Sequence, residues 1–196
     1  MAFSPAAERN KTPILSVLGG YLEPGDQILE IASGTGQHVM HFAQSLSETC
    51  WQPTDRNDEL FSHMWAEIQT HGLTNVARPL VVDVTKAWAM TTKFDVIYCA
   101  NMIHIAPWQA AEGLFSIARS CLAPRGHLLL YGPFRFHDQL FAESNQRFHE
   151  SLRARNPSWG VRDVQALDAL AAQKGFVRGR THPLPSNNHL LAYARV

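Results

Sequence analysis

Charge is what this sequence has little of. Only 17% of its 196 residues are charged, against roughly 25% in ordinary globular domains, and seventeen Lys and Arg offset seventeen Asp and Glu. No long run of either sign occurs, so the basic excess that marks a nonspecific nucleic-acid binder is missing. Uninterrupted apolar runs stay well below the ~20 residues needed to span a bilayer. The opening Met-Ala-Phe-Ser-Pro-Ala-Ala-Glu-Arg lacks the charged-then-apolar layout of a secretory signal. Cys50, Cys99 and Cys121 are scattered, with neither a disulfide framework nor a zinc spacing. Repeats and low-complexity tracts are also missing. These absences predict a soluble, reduced, cytoplasmic protein with no membrane, nucleic-acid or metal partner. They leave the oligomeric state open.

What is present is an apolar content of 45%, enough to exclude wholesale disorder, arranged as short apolar runs alternating with helical patterns. Residues 27–32 read as a buried strand entered through the turn Glu23-Pro24-Gly25-Asp26. Val39, Phe42, Ala43 and Leu46 then mark one helix face, and a short strand ends around residues 51–54. Phe61, Met64, Trp65 and Ile68 repeat the helical spacing up to Gly72. Residues 76–82 and 94–100 predict strands three and four. Pro107 suits a first helical turn before the stripe Ala111, Leu114, Phe115, Ala118 and Leu122, and residues 127–131 form a fifth strand.

This alternation predicts an α/β fold: a doubly wound, mostly parallel sheet in one domain spanning 1–196. Residues 1–20 read as an N-terminal lid or helix. Residues 137–162 read as a polar substrate-side insertion after strand five, helical between Asp138 and Arg155. A helix near 163–174 and two runs at 176–182 and 190–195 follow. The short link between those runs predicts antiparallel pairing and an antiparallel C-terminal edge.

The chemistry concentrates at Glu30-Ile-Ala-Ser-Gly34-Thr-Gly36, where strand one meets the first core helix. Glycines let a backbone approach a ligand closely, and a helix N-terminus offers unpaired N–H groups, although a tight turn with no ligand uses the same residues. Asp55, with Arg56 beside it, lies 21 residues after Gly34 at the end of strand two, where an acid can hold both ribose hydroxyls. Asp83 and Val84 end strand three, where a side chain or an N–H can meet an adenine. Asn101 ends strand four. A dinucleotide fingerprint places a third glycine where this chain has Val39, so a nicotinamide oxidoreductase is disfavoured.

Glu30, Ala32, Gly34 and Gly36 resemble the first motif of the class I S-adenosylmethionine-dependent methyltransferases, an acid followed by three alternating glycines, with alanine in place of the first glycine. The resemblance implies S-adenosyl-L-methionine as cofactor, Gly34 and Gly36 beside its methionine part, and Asp55 on the ribose. Asp83 and Val84 would flank the adenine, and Glu30 would orient the loop or the cofactor's amino group. A narrower resemblance, to the methyltransferase-like protein 26 family (a domain of unknown function), covers nearly the whole chain. It is carried by Ser4-Pro-Ala-Ala-Glu-Arg-Asn-Lys-Thr-Pro-Ile-Leu15, Ile31-Ala-Ser-Gly-Thr-Gly-Gln-His38, Trp51-Gln-Pro-Thr-Asp55, Tyr131-Gly-Pro-Phe134, Trp159-Gly-Val-Arg-Asp163 and Pro185-Ser-Asn-Asn188.

Around this crevice, His104 either acts as a general base toward an attacking oxygen, nitrogen or sulfur, or only shapes the pocket. His38 flanks the glycine loop and can touch the cofactor, whereas His41 falls opposite the apolar stripe and is expected in solvent. Arg9 and Asn10 either fold over the cofactor or cap a helix. Phe134, Asn145, Trp159, Arg162, Asn187 and Asn188 lie in the polar additions expected to face a small-molecule acceptor. Arg162 either binds an anionic substrate or neighbours the helix cap at Asp163. The activity expected is methyl transfer to a small molecule by in-line displacement. The alternative is a non-catalytic methyltransferase-fold protein that binds cofactor or partner proteins.

Overall fold

A computed structural model describes residues 3–88, 90–137, 139 and 141–196. The first helix, α1 (Pro5–Leu18), is followed by β1 (Gln27–Ile31), α2 (Gln37–Ser45), β2 (Cys50–Asp55), α3 (Phe61–Thr70) and β3 (Leu80–Val81). Then come β4 (Phe94–Ala100), α4 (Trp108–Cys121), β5 (Leu122–Gly132), β6 (Phe134–Arg135) and α5 (Glu143–Arg155). The chain ends with β7 (Arg162–Asp163), α6 (Val164–Gln173), β8 (Phe176–Leu184) and β9 (Asn188–Arg195).

Seven strands form one sheet in the order β3-β2-β1-β4-β5-β9-β8, with β6 and β7 paired separately. The five strands from β3 to β5 run parallel, and β9 is antiparallel to both β5 and β8. Covering both faces with helices explains why the central strands read as continuous apolar runs. Leu29, Ile31, Ile97, Cys99, Leu128 and Leu130 pack toward α4 and α6. Ile28, Val96, Tyr98, Leu129 and Tyr131 pack against Ile14 and Leu18 of α1, Phe42 of α2 and Met64 of α3.

The third strand is shorter than the expected 76–82. Val76 bridges Trp51, but regular pairing resumes only at Leu80, because Pro79 has no amide to continue the ladder and the Gln52 side chain takes the Arg78 carbonyl instead. The insertion helix starts at Glu143 rather than Asp138, which lies outside the described residues. Pro107 caps α4 instead of lying within it. The β8–β9 link is the three-residue turn 185–187, with Ser186 and Asn187 both left-handed at φ 62 and 57. No helix among the described residues is long and apolar enough to cross a membrane.

Candidate active site

β1 and β4 are neighbours, yet β1 leads into α2 on one sheet face and β4 into α4 on the other. Their diverging C-terminal ends open a crevice at this switch point. Glu30, near the end of β1, is 2% exposed, and its Oε2 has no hydrogen-bond partner. Burial pushes this carboxyl up to about 7; the neighbouring Asp55 charge adds to the rise, and a Ser33 hydrogen bond opposes it. An orphaned buried carboxylate oxygen is expensive, and it marks a place where a donor is expected.

Ala32, Gly34 and Gly36 all have positive φ, at 61, 55 and 76. Alanine at the first of these positions accepts a conformation that glycine takes freely, at a penalty of roughly 1 kcal/mol. The two glycines differ sharply in surroundings. A Cβ on Gly34 would meet nothing within 4 Å, whereas one on Gly36 would lie 2.6 Å from Met64 Cγ. Gly34 therefore faces open space and Gly36 faces the core.

Strand ends one and two are stitched together. The Ser33 amide donates to the Thr54 carbonyl, the Thr54 amide to Ser33 Oγ, and the Thr54 hydroxyl to the Glu30 carbonyl. Asp55 accepts from the Gly34 amide on one oxygen at 2.9 Å and from the Arg56 amide on the other at 2.7 Å. Asp83 accepts from the Thr85 hydroxyl and amide, which hold its carboxyl below the usual range. Sequence reasoning missed Gly113 of α4: a Cβ there would lie 1.7 Å from the Val84 carbonyl, so α4 presses directly on that strand end. The available signal was a glycine inside a helical pattern. Asn101, at φ 59, turns the chain out of β4 and donates its amide to the Tyr131 carbonyl.

Arg9 and Asn10 cap nothing. They lie within α1, whose cap is Ser4, with Oγ accepting from the Ala7 amide. Asn10 Oδ1 is 2.7 Å from His38 Nε2 and its side chain also bonds Tyr131, while Arg9 is close enough to act on the Tyr131 hydroxyl electrostatically. Burial holds His38 down to about 4, so it is neutral at pH 7. His41 is half-buried with Nε2 unpartnered, not solvated as its place on the helix suggested, because α1 packs over this side of α2.

Past the end of β4, His104 is completely buried, and neither ring nitrogen has a partner. Its ring packs edge-on against Phe134 at 5.1 Å and flush against Gly132, where a Cβ would lie 2.4 Å from Nε2. Burial, with the Arg162 charge second, lowers this imidazole to about 3. Arg162 does not offer its guanidinium to an anion. It donates to the carbonyls of Ile103, Ala106 and Ser158 and lies over the Trp108 ring. Asp163 is the cap of α6, as expected.

Asn145 and Asn187 do come together: Asn145 Nδ2 donates to the Asn187 carbonyl at 2.9 Å, and Asn187 Nδ2 donates to Ser144 Oγ. Trp159 instead lies under Arg155, and Asn188 bonds carbonyls of its own turn. No cluster of three or more His, Cys, Asp or Glu suited to a metal occurs among the described residues.

The family described as "Protein of unknown function (DUF938)" matches residues 1–195. The chain is also 27% identical over 175 residues to the highly reducing polyketide synthase AFT9-1 of Alternaria alternata, which covers 82% of this chain but only 6% of that protein. Three solved structures share the fold at low identity. The mitomycin 7-O-methyltransferase MmcR superposes with a TM-score of 0.80 at 16% identity, covering 96% of this chain and 54% of its own. An O-methyltransferase family protein from Burkholderia thailandensis gives 0.80 and 16%, over 97% and 57%. The O-methyltransferase NcsB1 from neocarzinostatin biosynthesis, solved with S-adenosylmethionine and 2-hydroxy-5-methyl naphthoic acid, gives 0.75 and 13%, over 97% and 55%. This chain thus spans little more than half the length of these proteins, and the likeness fixes the methyltransferase fold.

Proposed function

Starting from the chain's membership of the DUF938 family, a kinship that carries no activity of its own, we propose that it is an S-adenosylmethionine-dependent methyltransferase acting on a small-molecule acceptor. The observation that carries this reading is Glu30, whose buried Oε2 lacks a donor at the mouth of a glycine loop with open space at Gly34. A sulfonium nucleoside bearing an amino-acid chain fits that chemistry, since its amino group supplies the missing donor. The motifs that resemble the methyltransferase-like protein 26 family support the same cofactor.

When bound, the cofactor supplies an electrophilic sulfonium methyl. The chain's own residues then bind and orient. A carboxylate offers about four acceptor positions, and the two amides leave Asp55 free to accept ribose hydroxyls as well. Asp83 and the Val84 amide flank the adenine, with Gly113 setting the position of Val84. Arg9, Asn10, His38, Arg56 and Asn101 complete the rim. On the acceptor side, Phe134 and the Asn145–Asn187 pair shape the pocket, with Trp159 and Asn188 at its margin; Arg162 acts there through the loop it holds rather than by binding substrate.

Alignment and exclusion of water supply most of the rate in such a displacement. His104 is the proton acceptor for the attacking group only once it is uncovered, because burial holds the imidazole down to about 3 and makes it a weak base while it is closed in. One observation favours the second reading, a non-catalytic cofactor or protein-binding module: His104 is sealed from solvent. Zero net charge supports a small acceptor over nucleic acid, and free cysteines suit the cytoplasm.

Titration calorimetry with S-adenosylmethionine, S-adenosylhomocysteine and NADH tests the reading. Micromolar binding of the two sulfur nucleosides without NADH is expected. Binding of none of them overturns it.

A further inference from the structure

A completely buried imidazole with two unpartnered nitrogens is a poor final state, because a donor and an acceptor have both been taken out of water with nothing returned. What keeps His104 there is not its own side chain. The Gly160 amide donates to the His104 carbonyl, and Arg162 donates Nε to the Ile103 carbonyl at 2.7 Å and Nη2 to the Ala106 carbonyl. The same Nη2 reaches the Ser158 carbonyl, tying residues 158–162 together over the segment 103–106. Pairing of Phe134 with Arg162 in β6–β7 sets the position of the arginine, and the Phe134 ring closes the remaining side of the imidazole. Apart from this fastening the segment is anchored by Ile103, buried in the core, and by the His104 and Ile105 amides, which donate to the Asn101 and Met102 carbonyls, while Ile105 at its tip is 46% exposed.

We infer that Arg162 is a latch that fastens residues 103–106, and with them His104, beneath residues 158–162 and against Phe134 and Gly132, so that the imidazole meets water or acceptor only when these guanidinium bonds release. A cation bonded to three backbone carbonyls is a strong fastener. It is nonetheless half-buried rather than sealed, so competition from water at its outer edge is available to loosen it. Arg162 is on this account a positioning residue, and it reconciles a buried His104 with a role as proton acceptor. That consequence rests on the methyltransferase reading, whereas the latch itself does not. The groups acting on the imidazole are Arg162, the Gly160 backbone, Phe134 and Gly132, so the guanidinium is the only charge against it among the described residues.

Carbethoxylation of the full chain by diethylpyrocarbonate, read histidine by histidine by mass spectrometry, tests the latch without cofactor or acceptor. Wild-type His104 is expected to react at least ~10-fold more slowly than the exposed His71, as a site that reacts only by local opening. In Arg162→Ala it should approach the His71 rate, and in Arg162→Lys, which keeps the charge but loses the two-carbonyl bridge, it should fall between. Arg162→Lys also serves if the alanine variant does not fold. Arg178→Ala, which breaks the Arg178–Asp168 pair elsewhere, should leave His104 protected.

Three results overturn the latch: His104 reacting as fast as His71 in the wild type, protection unchanged in both Arg162 variants, or equal exposure in Arg178→Ala. None of them depends on whether S-adenosylmethionine binds, which the calorimetry decides separately.

Discussion

The Gly34 amide donates to the Asp55 carboxylate at 2.9 Å, joining the loop after β1 to the end of β2 across 21 residues of sequence. The acid that would hold the ribose is thereby also the clip that shapes the glycine loop, so its removal acts twice.

Asp55→Ala should weaken S-adenosylmethionine binding by at least ~1–2 kcal/mol, through lost charge-assisted hydrogen bonds and a loosened loop. Calorimetric affinity checks it, and an unchanged dissociation constant would remove Asp55 from the ribose.

The two loop glycines should separate binding from folding. Gly36→Ala combines a positive φ with a 2.6 Å approach to Met64 and should destabilise the fold by ~1–3 kcal/mol, lowering Tm by several degrees. Gly34→Ala carries only the φ penalty, because its Cβ enters open space, so it should reduce cofactor affinity with a smaller change in Tm. Thermal melts and calorimetry on both variants distinguish the two effects.

Glu30's own contribution to stability should fall as pH rises from acid toward neutral. From its ordinary value of 4.5 to its folded value of about 7, the native state keeps a proton that the unfolded chain has released. Stability is then lost as pH rises through that window, by a total on the order of 3 kcal/mol. Glu30→Gln should remove this slope. Urea unfolding between pH 5 and 8 measures it, and parallel curves for the two proteins would contradict the assignment.

The buried imidazoles act in the opposite sense. His38 and His104 are lowered from 6.5 to about 4 and about 3 by burial, so their contribution is complete above pH 6.5 and is lost as pH falls toward those values. Two histidines outweigh one glutamate in the overlapping range. Wild-type stability should therefore rise to a maximum near pH 7 and stay nearly level beyond it, where Glu30 is ionised in both states. In Glu30→Gln the rise between about pH 5 and 6.5 should be steeper, visible in the same unfolding series.

The strand–helix alternation, the strand-end crevice and the place of the glycine loop were legible because each rests on local chemistry: apolar period, a proline or glycine at a bend, an acid at a strand end. Where reading failed, the deciding partner was remote. For Arg162 an anion-binding role stood open beside the helix-cap neighbour because two of the three carbonyls that occupy it lie 56 and 59 residues away, and carbonyls leave no mark in a sequence. His41 looked solvated because periodicity within α2 carries no information about α1 packing against it. The span expected as β3 was cut short by Pro79, whose missing amide was visible in the sequence but whose place in the ladder was not.

The turn at Ser186 and Asn187 has an evolutionary consequence. Because the Asn187 carbonyl receives the amide of Asn145, the tip of the edge hairpin and the insertion helix α5 form a two-piece inheritance unit. A recombination that exchanged the helix alone would strand a buried amide, and one that lengthened the hairpin would withdraw its acceptor. If the proposed methyltransferase function holds, new acceptor preferences on this scaffold should arise by changing both segments together, with the loop after β1 passed on untouched.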